Sequence, residues 1–131
     1  MVKLVILVRK DLDMSAGKTA AQVSHAVLKS FMNRMSNMGK RGPDTECIDY
    51  SEDKLLSDWL KTGQTKVVLE VADLAELELR RSRAITKELH YSIVVDEGRT
   101  EIAPSTITCM AIGPDESERI DEVAGDLKLL K

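Results

Sequence analysis

The chain has 131 residues, 43% apolar and 31% charged, with a formal net charge of −3, a balance that excludes a general nucleic-acid binder. That length allows one real hydrophobic core but not two, so a single domain over residues 1–131 is expected. No apolar stretch approaches the ~20 residues needed to cross a bilayer, and the first eight residues lack the pattern of a signal peptide, so a cytoplasmic chain without a membrane partner is expected.

Leu4 to Val8 is a continuous apolar run, as in a strand covered on both faces. A helix then runs from about Gly17 to Met35. At about 100° per residue, Lys18, Gln22, His25 and Lys29 share one stripe, and Ala20, Val23, Val27, Phe31 and Met35 fall on the other side. The stripe fits a site acting on one ligand, and equally a solvated face. Gly17-Lys18-Thr19 suggests a phosphate loop, but Leu12 stands where the first glycine is required, which removes a nucleotide triphosphate cradle. A helix start with Lys18 in its first turn still suits a phosphate or a carboxylate.

Ser36 to Tyr50 mixes Asn, Gly, Lys, Arg, Pro and Asp without periodicity, the pattern of a flexible loop insertion. Ser51 precedes a short helix with Leu55, Leu56, Trp59 and Leu60 on its apolar face, ended by Gly63. Lys66 to Val71 is a second strand. Asp73 and Glu76 form a capping-box-like pair before a long helix whose apolar side is Leu74, Leu77, Ala84, Ile85 and Leu89, with Arg80, Arg83 and Lys87 opposite. Tyr91 to Val95 and Thr106 to Ile112 are the third and fourth strands. Gly113-Pro114 then breaks the chain, and Asp115 and Glu118 cap a last helix that Gly125 ends. Alternation followed by two successive strands implies an α/β fold, a four-stranded mixed sheet between helical layers, with the last strand pair antiparallel.

Cys47 and Cys109 match neither a zinc nor a redox pattern, and Cys109 lies in an apolar strand where a thiol acts as a small hydrophobe. With His25 and His90 the only histidines, a multi-histidine metal site is excluded, and no metal or cofactor is expected. Charge is unevenly spread. Residues 1–43 carry eight Lys or Arg against two Asp, a net +6, residues 44–58 a net −5, and the remainder −4. A polyanion is therefore attracted locally by the first third.

In such folds ligands collect at the carboxyl ends of parallel strands. Asp96, Gly98, Arg99 and Thr100 follow the third strand and Lys18 follows the first, so the two segments are expected to meet at one sheet edge. Asp96 or His25 would take a proton, Lys18 would steady developing negative charge, and Thr100 would hold water or an oxyanion. Asp96 to Arg99 fits a simple surface turn as well.

Five segments together, Gly17-Lys18-Thr19-Ala20-Ala21-Gln22 with His25-Ala26, Gly63 to Leu69, Asp96 to Thr100, Ala111 to Pro114, and Gly125 to Leu130, show that the chain resembles the peptidyl-tRNA hydrolases of the second type, found in archaea and eukaryotes. The resemblance spans nearly the whole chain. It implies a three-layer α/β/α sandwich with a small mixed sheet and hydrolysis of the ester joining a peptide to tRNA. The family's functional lysine falls on Lys18, its histidine on His25, its aspartate on Asp96 and its threonines on Thr100 and Thr108, while Gln22 and Arg99 match positions lining the same region. Lys18, Lys29, Arg99 and Lys128 are the expected phosphate contacts on peptidyl-tRNA, and Gln22 is expected to bind tRNA with Lys29, Arg99 and Lys128.

Glu101, Ser105 and Glu97 depart from the family's usual glutamine, glycine and small residue. The added acids are expected to raise the pKa of Asp96 and repel phosphates, and they support an alternative, a non-catalytic RNA-binding or adaptor module on the same scaffold. A hydrolase of small nucleotide esters is a further rival. The apolar tail Leu127, Leu129 and Leu130 packs either internally or against a second copy, as a homodimer.

Overall fold

The computed structural model describes residues 1–35, 50–98 and 101–131. Cys47 and all but the last residue of the expected 36–50 insertion lie outside the described residues. Its elements are β1 (Val2–Arg9), α1 (Ala16–Met35), α2 (Lys54–Lys61), β2 (Lys66–Val71), α3 (Leu74–Thr86), β3 (Tyr91–Asp96), β4 (Thr106–Glu116) and α4 (Ser117–Ala124). The strands lie in the order β2-β1-β4-β3. β1 pairs parallel with β2 and antiparallel with β4, and β3 pairs antiparallel with β4. The expected mixed sheet and antiparallel last pair are both present.

Central position explains the composition of β1. Leu4 to Val8 are all buried, Leu4, Ile6 and Val8 on one sheet face and Val5 and Leu7 on the other. The first face packs against α1 and α2 through Ala26, Leu56 and Trp59, the second against α3 and α4 through Leu77, Ala84, Ile120 and Val123. These are the three layers. No helix among the described residues is long and apolar enough to cross a membrane.

Four local expectations are corrected. The row that α1 presses on the sheet is Gln22, Ala26 and Ser30, whereas Val23, Val27 and Phe31 are half-buried flanks and Ala20 is exposed. Small and hydrogen-bonding side chains at spacing i, i+4, i+8 let the helix approach β4 closely, where Ser30 Oγ donates to Gly113 O at 2.9 Å. Asp53, not Ser51, caps α2, accepting from the Leu56 N–H at 3.0 Å. In α3, Leu74 and Ile85 are exposed and Arg80 is buried, because Arg80 has partners waiting in the next layer: Val123 O at 2.9 Å and the Asp126 carboxylate.

Lastly, Gly113-Pro114 does not end the fourth strand, which continues to Glu116 by pairing Asp115 and Glu116 with Lys3 and Val2. The peptide bond is cis, and the register shift beside it, between Lys3 and Val5, is where a central strand tolerates a residue without an N–H. Glu116 then occupies the cap position of α4 without a side-chain capping bond, and Asp115 pairs with Arg119 instead. The tail packs internally: Leu127 and Leu130 join opposite cores, and the Leu130 N–H donates to Val68 O at 3.0 Å.

Candidate active site

β3 ends on Asp96, whose carboxylate turns toward the first turns of α1. Its Oδ1 accepts from Lys18 Nζ at 2.5 Å and from Gln22 Nε2 at 3.3 Å, and its Oδ2 accepts from the Gly98 N–H at 2.7 Å. Gly98 stands at φ +75°, and a Cβ there would lie 2.5 Å from the backbone of Pro104, so the turn that supplies this N–H requires glycine. The surface-turn reading of Asp96 is thereby excluded. It is a buried, oriented anion.

The Lys18 ammonium holds the Asp96 carboxyl below the usual aspartate range; burial opposes this, and the Gly98 N–H and the charge of His25 reinforce it. The expectation that neighbouring acids raise this pKa is overturned. One of them, Glu101, is directed elsewhere: its Oε1 accepts from the Ser15 N–H at 2.7 Å, at the start of α1. The carboxylate expected to settle at that helix terminus is thus the chain's own. Ser105, the other departure, occupies the left-handed region at φ +61°, a conformation that explains the family's glycine and costs a side chain roughly 1 kcal/mol.

Behind Asp96 a second row of polar groups fixes Gln22. Thr108, on β4 and fully buried, donates from Oγ1 to Gln22 Oε1 at 2.5 Å, which leaves the Gln22 amide N–H groups facing Asp96. Gln22 is itself only 2% exposed and is held within this network. The lysine and glutamine are spaced i, i+4 on one helix, a spacing that could have flagged the pair; the role of Thr108 has no local signal, because it lies 86 residues from Gln22.

His25 is exposed and lines the same groove as Lys18, Gln22 and Asp96. Lys29 reaches the edge of the sheet, where Nζ donates to Ile93 O at 2.6 Å. Arg99 and Thr100 lie outside the described residues. Lys128 does not join the group: its carbonyl accepts from the Glu70 N–H beside β2, the edge opposite to β3, about 19 Å away at roughly 4.8 Å per strand. Cys109 is buried with its thiol pushed up to about 12 by burial, an inert packing group as expected.

With a lysine, an aspartate and a histidine in one groove, backed by a glutamine and a threonine, the chain matches over residues 2–130 the family described as "Peptidyl-tRNA hydrolase PTH2". The chain belongs to this family. Among its relatives, a protein named "Peptidyl-tRNA hydrolase" from Saccharolobus islandicus is 41% identical over 130 residues, covering 99% of this chain and 100% of that protein. One of the same name from Saccharolobus solfataricus is 38% identical over the same shares. Another from Sulfurisphaera tokodaii is 41% identical over 98% of each chain. A solved structure of a protein of unknown function from Agrobacterium tumefaciens, at 14% identity, aligns with a TM-score of 0.55 over 99% of this chain and 98% of its own, a likeness of fold alone. The PTH2 membership agrees with the resemblance carried by the five sequence segments.

Proposed function

We propose that this chain hydrolyses the ester linking a peptide to the terminal ribose of tRNA, by direct attack of water, and that Lys18, His25 and Asp96 carry the reaction. The observation that supports this most is the Lys18–Asp96 pair at 2.5 Å, set in an open groove with His25. Asp96, kept anionic, accepts a hydrogen bond from the attacking water and orients it. The water oxygen bonds to the ester carbonyl carbon while its proton passes to the imidazole of His25, the type of side chain suited to proton transfer near neutral pH. Lys18 offers its remaining N–H groups to the developing oxyanion. Collapse of the tetrahedral intermediate breaks the bond to the ribose oxygen, which takes the proton back. The peptide leaves as an acid and the tRNA with a free hydroxyl.

Thr108 and Gln22 are positioning residues in this reading: Gln22 lines the groove but its amide is engaged by Asp96 and Thr108, and Thr108 acts through Gln22. Thr100 and Arg99 are retained as a catalytic and a tRNA-binding candidate from the family pattern, and Lys29 as a phosphate contact; Lys128, beside the opposite edge of the sheet, is given no part in binding. The setting is a single-domain cytoplasmic hydrolase. Of the tail leucines expected to carry a homodimer, Leu129 alone is exposed, because Leu127 and Leu130 are packed internally. Sedimentation at micromolar concentration reads that state.

The non-catalytic module is disfavoured by the completeness of the network around Asp96. Release of the blocked amino acid from a purified N-blocked aminoacyl-tRNA, followed over time with Asp96→Asn as control, is the deciding experiment. Turnover that survives in Asp96→Asn at the wild-type rate would overturn the assignment.

A further inference from the structure

Three exposed apolar side chains lie in the groove that holds Asp96: Leu28 and Met32 of α1, 57% and 54% exposed, and Val95 of β3, 48% exposed. The groove has a volume of about 940 Å³ and runs along α1 from Lys18 to Met32, about 21 Å at roughly 1.5 Å per residue. Its other wall is β3, an edge strand. Along β3 the His90 carbonyl accepts from the Gly113 N–H and the Asp96 carbonyl from the Ser105 N–H, so alternate residues face β4. Tyr91, Ile93 and Val95 therefore turn their backbone groups outward along the groove. Of these outward groups, Ile93 O is met by the Lys29 ammonium.

The geometry points to this groove as the seat of the substrate's peptide, which lies extended along β3 as an added strand with its side chains against Leu28, Met32 and Val95. The inference rests on the hydrolase reading, because the ester at Asp96 sets the direction. With the peptide's C-terminal carbonyl at Asp96, its earlier residues run back toward Tyr91, parallel to β3. At about 3.3 Å per residue the groove takes about six residues, and the fourth from the ester reaches the level of Ile93 and Lys29. Backbone pairing to an edge accepts any peptide sequence, which is what a substrate defined by its ester and not by its side chains demands. Exposed Leu, Met and Val along the wall suit an acyl chain better than a phosphate backbone.

The test compares two esters on one tRNA, an N-acetyl-aminoacyl-tRNA and a tetrapeptidyl-tRNA with the same C-terminal residue. Wild type is expected to favour the longer substrate at least tenfold in kcat/KM, and the double variant Leu28→Asp/Met32→Asp to bring the ratio close to one. Both positions are more than half exposed, so the variant folds as wild type, which circular dichroism checks. Equal turnover of both esters by wild type, or an equal loss on both in the variant, would overturn the inference while leaving the hydrolase reading intact; the latter result would assign the groove to the tRNA. Failure of wild type to cleave either ester would overturn both readings.

Discussion

Two cations, one in each helical layer, Lys18 partly buried and Arg80 buried, make the same kind of contact to opposite ends. Lys18 in α1 meets Asp96 at 2.5 Å, and Arg80 in α3 meets Asp126 at 2.5 Å and donates to Val123 O at 2.9 Å. Each holds its carboxylate below the ordinary range, Asp126 at about 2, through a hydrogen bond that outweighs desolvation. The difference lies around the carboxylates. Asp126 is largely exposed and fastens the end of α4 to α3, whereas Asp96 is buried, held on its second oxygen by a backbone N–H, and faces an open groove. The proposed catalytic role of the Lys18–Asp96 pair rests on that difference, an immobile anion that a substrate can reach, and not on the charge alone.

The sharpest way to break that contrast is to neutralise each pair in turn. Asp96→Asn is expected to lower kcat on peptidyl-tRNA by about 10²–10³-fold, the range for removing a preorganised electrostatic group, with the fold retained by circular dichroism. Arg80→Met is expected to leave kcat within twofold and to destabilise by about 1–3 kcal/mol, the worth of hydrogen bonds from a charged donor, read as a fall in Tm. If Arg80→Met instead abolished turnover at unchanged Tm, the two pairs would not be the different objects described here.

Thr108→Val tests how far the immobility of Asp96 depends on the row behind it. Loss of the hydroxyl leaves Gln22 Oε1 without its donor, and kcat is expected to fall about tenfold, equivalent to roughly 1.4 kcal/mol. Thr108→Ser, which keeps the hydroxyl, should restore most of it. A purely packing role for Thr108 would give the opposite order.

A titration places a third charged site beside these two. Burial lowers the pKa of His90 from 6.5, with Arg34 acting in the same direction and a hydrogen bond to the Gly113 backbone and the charge of Asp53 opposing. The folded protein therefore binds fewer protons than the unfolded chain below about pH 6.5, so stability from this group is present above that pH and declines as pH falls toward the lowered value. Denaturant midpoints measured from pH 7 to 5 should fall, and His90→Gln should flatten the slope. At the far edge of the sheet, Lys128→Ala is expected to change KM less than twofold, whereas Lys29→Ala weakens binding measurably; KM against salt concentration reads both.

Much of the fold was legible in the residues themselves. Strong local signals, the apolar run Leu4–Val8, the Asp73–Glu76 cap and the stop at Gly125, placed strands and helices close to where they stand. The site was legible as a list: Lys18, His25 and Asp96 stand together in the groove. Errors came where a partner distant in sequence overrode a local rule. Arg80 was assigned to the wet face because nothing near it reveals the carbonyl of Val123. The hydrogen bonds of Gln22 to Thr108 and Asp96 are likewise invisible from α1, and the turn at Gly113-Pro114 was misread because its pairing with Lys3 and Val2 is non-local.

Taken alone, the chain determined what depends on near neighbours: periodicity, caps, the family pattern and the inventory of side chains able to do hydrolytic chemistry. Tertiary structure decided which of those side chains are immobilised, which are screened and which face open space. Hydrogen-bond partners and desolvation arise only when β4 is inserted between β1 and β3 and α1 is laid across it. That packing turns Asp96 from a turn residue into an oriented anion, and it sends Lys128 to the other edge of the sheet.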